Sequence, residues 1–211
     1  NTGIIGTMGT GKTQFTKSLV TQLVQNRGQN VGGESIGILI FDYKADYIKD
    51  DFVAATGARL FDLHRLPFNP FALYGNKPML LVHTANLFRS TIGNAYNLGN
   101  RQQNKIRTLV LDAYARAGIQ PSDSSTWDRL APTLQDVWEL FQDQDTVEQD
   151  SLYAVLDDLV TFQLFEPEAG KTRSLYDLLD GVNVINLSGY DPHIPNLVCA
   201  ITLDIFYAQI H

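Results

Sequence analysis

The chain has 211 residues, 44% of them apolar, with 23 acidic against 16 basic side chains and a formal net charge of −7. That balance excludes a protein that grips nucleic acid through a broad basic face, and no apolar run reaches the 18 or more residues that read as a membrane span. A single cysteine, Cys199, excludes an internal disulfide and a C-x-x-C metal pair.

The opening residues show no signal-peptide pattern. They read as the inside of a first strand, Gly3-Ile4-Ile5-Gly6, and hence as the start of a domain excised from a longer protein. Gly6-Thr7-Met8-Gly9-Thr10-Gly11-Lys12-Thr13 follows and fits G-x-x-x-x-G-K-[ST], the phosphate-binding P-loop. Glycines let the backbone turn tightly and aim successive N–H groups at an anion. The helix that opens behind the loop adds its partial positive charge. In this pattern Lys12 reaches the β- and γ-phosphates of ATP, and the Thr13 hydroxyl ligates Mg²⁺. The predicted nucleotide-binding set is Gly6, Thr7, Met8, Gly9, Thr10, Gly11, Lys12, Thr13 and Gln14. The helix is predicted over Lys12 to Asn26, with Phe15, Leu19 and Leu23 on its apolar face, joined by Val20 and Val24, and with Gly28 near its C-terminal cap.

Ile36 to Asp42 is a continuously apolar run ending in an acid, the pattern of a parallel strand buried on both faces. Ligands in such folds bind outside the carboxyl ends of the strands. Asp42 is therefore a second candidate catalytic residue beside Lys12, orienting Mg²⁺ or a water; the alternative is a carboxylate that caps the turn Asp42 to Asp46. Lys44 in that turn either assists or is a solvated loop lysine. A third strand is predicted at Arg59 to Leu63, followed by a loop punctuated by Pro67 and Pro70.

From Pro78 to about Phe165 the period is helical. Ile106, Leu109, Val110, Ala113 and Tyr114 form one stripe, Leu152, Val155, Leu156, Leu159 and Val160 another, and Leu134, Val137, Trp138 and Phe141 a third, with Thr133 and Asp136 as a capping box. Four helices without an intervening strand read as an insertion in an α/β core. Leu109 to Asp112 imitates a Walker B strand but lies inside a helical stripe. Gly170-Lys171-Thr172 imitates the end of a P-loop but reads as a loop, and Arg173 beside it is a candidate arginine finger toward a neighbouring subunit. Ser174 to Asp177 opens a short helix, Val182 to Leu187 reads as a strand, and Leu197, Ala200, Ile201, Asp204, Ile205 and Ala208 form a last, well-buried helix. Cys199 in that helix reads as a buried structural thiol, suited to a reducing cytoplasm. The four histidines, His64, His83, His193 and His211, have no metal-ligand spacing, and no G-x-S-x-G elbow is present.

The P-loop helix, the segment ILIFDYKADY (Ile38 to Tyr47), the Asn69-Pro70 turn, the helical insertion and the VINLS strand (Val184 to Ser188) together resemble the HerA/FtsK-type ATPases over nearly the whole chain. ILIFDYKADY is similar to that group's D-P-K-G-E segment, with Tyr43 and Ala45 departing from its proline and glycine. The wording GTMGTGKTQFTKSL (Gly6 to Leu19) is most similar to the ATPases of DNA phosphorothioation-dependent restriction systems. The resemblance implies a RecA-like parallel sheet flanked by helices, and a hexameric ATP hydrolase working on DNA with other restriction-system subunits and no membrane contact. It also places the Walker B acids on a strand beyond His211. The sequence is accordingly read as an α/β P-loop NTPase, with residues 1–77 and 166–211 as the core and 78–165 as the helical insertion. Two alternatives stand beside the motor: a P-loop small-molecule kinase that uses Asp42 as its metal acid, and a non-enzymatic nucleotide-dependent switch or scaffold.

Overall fold

The computed structural model describes residues 3–29, 31–33, 36–75 and 77–210, except the side chains of 31 and 208–210. Ala208, predicted on the buried side of the last helix, and His211 thus lie outside the described side chains. The chain divides into two compact units, Asn1–Leu63 with Tyr176–Gly189, and His64–Leu175 with Tyr190–His211.

The first unit is built on three parallel strands, β1 (Ile38–Asp42), β2 (Arg59–Asp62) and β3 (Val182–Asn186), in the order β1-β3-β2. The last strand in sequence is therefore the central one. It is also the most buried: Val182, Val184 and Ile185 are at most 3% exposed, whereas β1 is only half-buried up to Asp42. Register aligns Asp42 with Asn186 on one side and Asp62 with Asn186 on the other, so all three strands finish at one level on polar side chains. Parallel strands need crossover connections, and helices supply them. Helices α1 (Lys12–Gln25) and α2 (Asp50–Thr56) pack on each other, and Val20 and Phe52 join Ala58, Val182 and Val184 in a common core.

Local chemistry secures the start of β3. Arg59 donates from Nε to the Asn183 side chain (2.8 Å) and from Nη2 to the carbonyls of Asp177 (2.6 Å) and Asp180 (2.7 Å). Asn183, fully buried, donates to the Leu178 carbonyl (2.8 Å), so its burial leaves no orphaned amide. Gly37, just before β1, has to be glycine: a Cβ there would stand 1.9 Å from the Leu179 carbonyl oxygen.

Two expectations in this unit are corrected. Gly3 to Gly6 pairs with no described strand, and Ile5 is 97% exposed; an apolar run becomes a strand only when a neighbour takes its N–H and C=O groups. Along α1, Phe15, Leu19 and Leu23 are exposed, while Lys17 and Val20 are buried and Val24 packs beside them. Apolar residues surround more than one side of this helix, so periodicity could not choose the side that meets the core.

The second unit is helical: α3 (Leu80–Ala95), α4 (Asn100–Arg116), α5 (Leu134–Gln142), α6 (Ser151–Thr161) and α7 (His193–Ile210). Helix α3 packs on α4 and α7, α4 on α5, and α5 on α6. The three predicted stripes are core here except for Trp138 and Val160, which are half-buried, and Leu109 to Asp112 is helical, inside α4. Thr133 and Asp136 form the predicted capping box, and Asp150 caps α6 by accepting from the N–H groups of Leu152 and Tyr153. Asn69 is 3% exposed and holds the proline loop, donating to the Pro132 carbonyl and accepting from the Phe71 N–H, both at 2.9 Å. The Tyr114 hydroxyl donates to the Phe71 carbonyl (2.6 Å), and its complete burial pushes the phenol far above its ordinary pKa against the opposing effect of Thr84. Cys199 is half-buried rather than fully enclosed. No described helix is long and apolar enough to cross a membrane.

Candidate nucleotide-binding site

The P-loop takes its shape from its glycines. Gly9 (φ 81°) and Gly11 (φ 79°) are left-handed, a region costly for side chains with a Cβ. At Gly6 the obstacle is space, since a Cβ would come within 2.6 Å of the Thr10 Oγ1. Thr10 in turn donates to the Thr7 carbonyl at 2.9 Å. Gly11 is the N-cap of α1, and the first helical bond runs from the Phe15 N–H to the Gly11 carbonyl (2.9 Å). No side chain caps this end, so its N–H groups are left for a ligand, which is how helix N-termini hold anions.

Lys12 curls back over the loop. Its ammonium donates to the carbonyls of Gly6 (2.7 Å) and Thr7 (2.6 Å). These bonds place a positive charge inside the ring of backbone made by residues 6–12. Thr13 is half-buried in the first turn of α1, and its hydroxyl makes no hydrogen bond to a described residue. Met8 stands at the tip, 97% exposed, and Gln14 is exposed on the first turn of the helix. A phosphate chain fits this donor set: a cradle that side chains would fill, one ammonium beside it, and one hydroxyl suited to a hard cation. Mg²⁺ is held through few protein oxygens plus substrate phosphates.

Asp42 occupies a different setting. It is 2% exposed, and its carboxylate accepts from the N–H groups of Lys44 (3.2 Å), Asp46 (3.1 Å) and Tyr47 (2.8 Å). Of its two expected roles, this geometry serves the turn-capping one. The carboxylate ties the loop of residues 43–47 to the end of β1, while the Asp42 carbonyl accepts from the Leu187 N–H (2.9 Å). Lys44 is exposed on that loop. Ala45, where the resemblance has glycine, sits at φ 55°.

Asp62 and Asn186 escaped the sequence reading, although β3 itself was predicted. Asn186 donates to Asp62 (3.2 Å) and accepts from the N–H and hydroxyl of Ser188 (3.1 and 2.6 Å). With Asp42 they form a polar row along the carboxyl edge of the sheet, where parallel α/β folds bind ligands. The available signal was three apolar runs each ending in Asp or Asn; only the register shows that these ends are neighbours. Arg173, the candidate finger, belongs to the second unit. Its N–H donates to the Pro67 carbonyl (2.6 Å), and its exposed guanidinium makes no bond to a described residue. Lys171 pairs with Glu168 (2.6 Å) in a single 3-10 turn, in keeping with a loop.

A search of curated proteins finds no match to the chain. Among solved structures, the chain is similar to VirB4 of Thermoanaerobacter pseudethanolicus, with a TM-score of 0.67 and 12% identity over 94% of this chain and 75% of that one. At this identity the likeness is one of fold, and it agrees with the mixed α/β architecture, a parallel sheet flanked by helices, of P-loop ATPases. The family model described as the central domain of the helicase HerA matches residues 1–205. The chain therefore belongs to the HerA central-domain family.

Proposed function

We propose that this chain is the ATP-binding part of a DNA-directed ATPase motor of HerA/FtsK type, working as a homo-hexamer. The observation that carries the reading is the P-loop, with left-handed Gly9 and Gly11, an uncapped helix end and the Lys12 ammonium held inside the loop. Family membership and the VirB4-like fold support the choice of a motor over a small-molecule kinase. Residues 6–14 cradle the phosphates of ATP, Thr13 supplies a ligand to Mg²⁺, and Lys12 follows the charge that develops on the transferred phosphoryl group. Bound Mg²⁺ supplies charge neutralisation between the phosphates. Asp42 acts as a positioning residue, holding the 43–47 loop at the end of β1. The similarity of residues 6–19 supports a finer proposal: a DptH-like ATPase of a phosphorothioation-dependent DNA restriction system, located in the cytoplasm with other restriction subunits.

The test is Lys12→Ala. Its contacts are to carbonyls of an exposed loop, so the fold survives, while affinity for a fluorescent ATP analogue falls at least tenfold, the ~1.5–3 kcal/mol attached to a charge-assisted bond. Unchanged affinity and turnover would remove the nucleotide reading. DNA-stimulated phosphate release without a phosphorylated acceptor separates motor from kinase, and any turnover separates both from a passive switch.

A further inference from the structure

The backbone of residues 6–11 gets no support from packing. Gly3 to Gly11 are exposed throughout, and a Cβ added at Gly9 or Gly11 would meet nothing within 4 Å. Those two glycines nevertheless hold left-handed conformations, at φ 81° and 79°. Glycine has the widest choice of backbone angles and loses the most freedom when one of them is fixed. A local bond has to select this shape.

Thr10 stands between the two glycines, and its hydroxyl supplies that bond. Oγ1 donates to the Thr7 carbonyl at 2.9 Å, across the turn. Among the described residues, Lys12 is the only other side chain bonded to the backbone of residues 6–11. It donates to the same Thr7 carbonyl (2.6 Å) and to that of Gly6 (2.7 Å). A carbonyl oxygen has two lone pairs; at Thr7 the hydroxyl takes one and the ammonium the other. The hydroxyl thus fixes the direction of the carbonyl on which Lys12 rests. Gly6 makes room for it, since a Cβ there would lie 2.6 Å from the Thr10 Oγ1. The first glycine of the motif lacks a side chain at the place where Thr10 puts its hydroxyl.

Short bonds from a hydroxyl to nearby backbone select turn conformations. Here the turn is the phosphate cradle, and the cost of ordering it falls on ligand binding unless the loop is ordered beforehand. We propose that the Thr10 hydroxyl is a positioning group of the nucleotide site: it holds the loop in its phosphate-binding shape and sets the carbonyl from which Lys12 works, so that ATP meets a loop already ordered. This role rests on the nucleotide reading. It lies outside what the motif specifies, because the four positions between Gly6 and Gly11 admit any residue in G-x-x-x-x-G-K-[ST].

A fluorescent ATP analogue is titrated into the unaltered chain and into chains carrying Thr10→Val, Thr10→Ala or Thr10→Ser, and is then displaced with tripolyphosphate. Thr10→Val keeps the branched shape, Thr10→Ala removes the bulk, and both remove the hydroxyl. Both should weaken the two ligands alike, by about threefold to tenfold, the contribution of one neutral hydrogen bond. The effects match because the bond serves the phosphate end of the ligand. Thr10→Ser keeps the hydroxyl and should bind as the unaltered chain does. The thermal midpoint without ligand should be the same in all these chains, because the loop is exposed and packs on nothing. Wild-type affinity in the Thr10→Val and Thr10→Ala chains overturns the proposal. So does a Thr10→Ser chain as weak as Thr10→Ala, or a midpoint that falls when the hydroxyl is lost. An unaltered chain that binds neither ligand removes the nucleotide reading and this role with it, so the two failures are distinguished.

Discussion

Ala45 holds a left-handed backbone that favours glycine, at φ 55°, between Asp42 and its N–H partners Asp46 and Tyr47. Ala45→Gly should therefore stabilise the chain by about 0.5–1 kcal/mol, since the relief of a strained Cβ exceeds the entropy a glycine adds to the unfolded state. The urea midpoint measures this; an unchanged or lower midpoint would mean the strain is absent. Asp42 is the opposite case, a residue whose removal leaves donors stranded. Asp42→Ala should cost roughly 2–3 kcal/mol, the penalty of unpairing N–H groups that bonded a buried carboxylate. Faster amide exchange at Lys44, Asp46 and Tyr47 would accompany the loss. A wild-type exchange pattern in the variant would remove the turn-holding role.

At the scale of elements, the helices of the second unit begin where their caps stand. Asp150 accepts two N–H groups at the start of α6 and the Gln102 amide of α4 (2.9 Å). Burial pushes its carboxyl upward, but those bonds and the nearby charge of Lys105 outweigh it and hold the group below its ordinary value of 3.8. A carboxyl lowered on folding contributes stability that is whole above the unfolded pKa and is lost as pH falls through the folded one. The stability difference between the wild-type chain and Asp150→Asn should thus be constant from pH 7 to about 5 and shrink below about 4, close to the unperturbed value. Denaturation across that range checks it; a difference that persists at pH 2 would remove the carboxylate as its source.

The whole molecule carries seven more negative than positive charges, and its basic residues are scattered along the sequence. A motor that tracks DNA must then gather contacts from several copies or from a few loops. The chain as a monomer should bind duplex DNA with an affinity no better than the non-specific range, Kd ~10⁻⁴–10⁻⁶ M at physiological salt, and with a shallow salt dependence. Fluorescence anisotropy across 50 to 200 mM salt, about the interval over which phosphate contacts are titrated away, gives both quantities. A nanomolar monomer complex with a steep salt slope would place a complete DNA site within this chain.

Features whose cause is local were legible in the sequence. The tight loop of residues 6–11 could be read because glycines at fixed spacing are what such a turn requires, and Gly9 and Gly11 are left-handed in the structure. The capping box at Thr133 and Asp136, the three helical stripes and the approximate places of β1, β2 and β3 followed from side-chain period and turn chemistry for the same reason. Tertiary structure decided what depends on neighbours distant in sequence. Helix α1 had apolar residues to spare, and only packing against α2 and β3 chose Val20 and left Phe15 in solvent. Gly3 to Gly6 was apolar enough for a strand but pairs with none of the described strands. The last strand became the central one, which brought Asp42, Asn186 and Asp62 to a single edge. Asp42 itself was ambiguous in sequence, because a carboxylate at the end of a strand serves a metal or a turn equally well. Three N–H groups converging on it from the loop that follows give it a turn to hold.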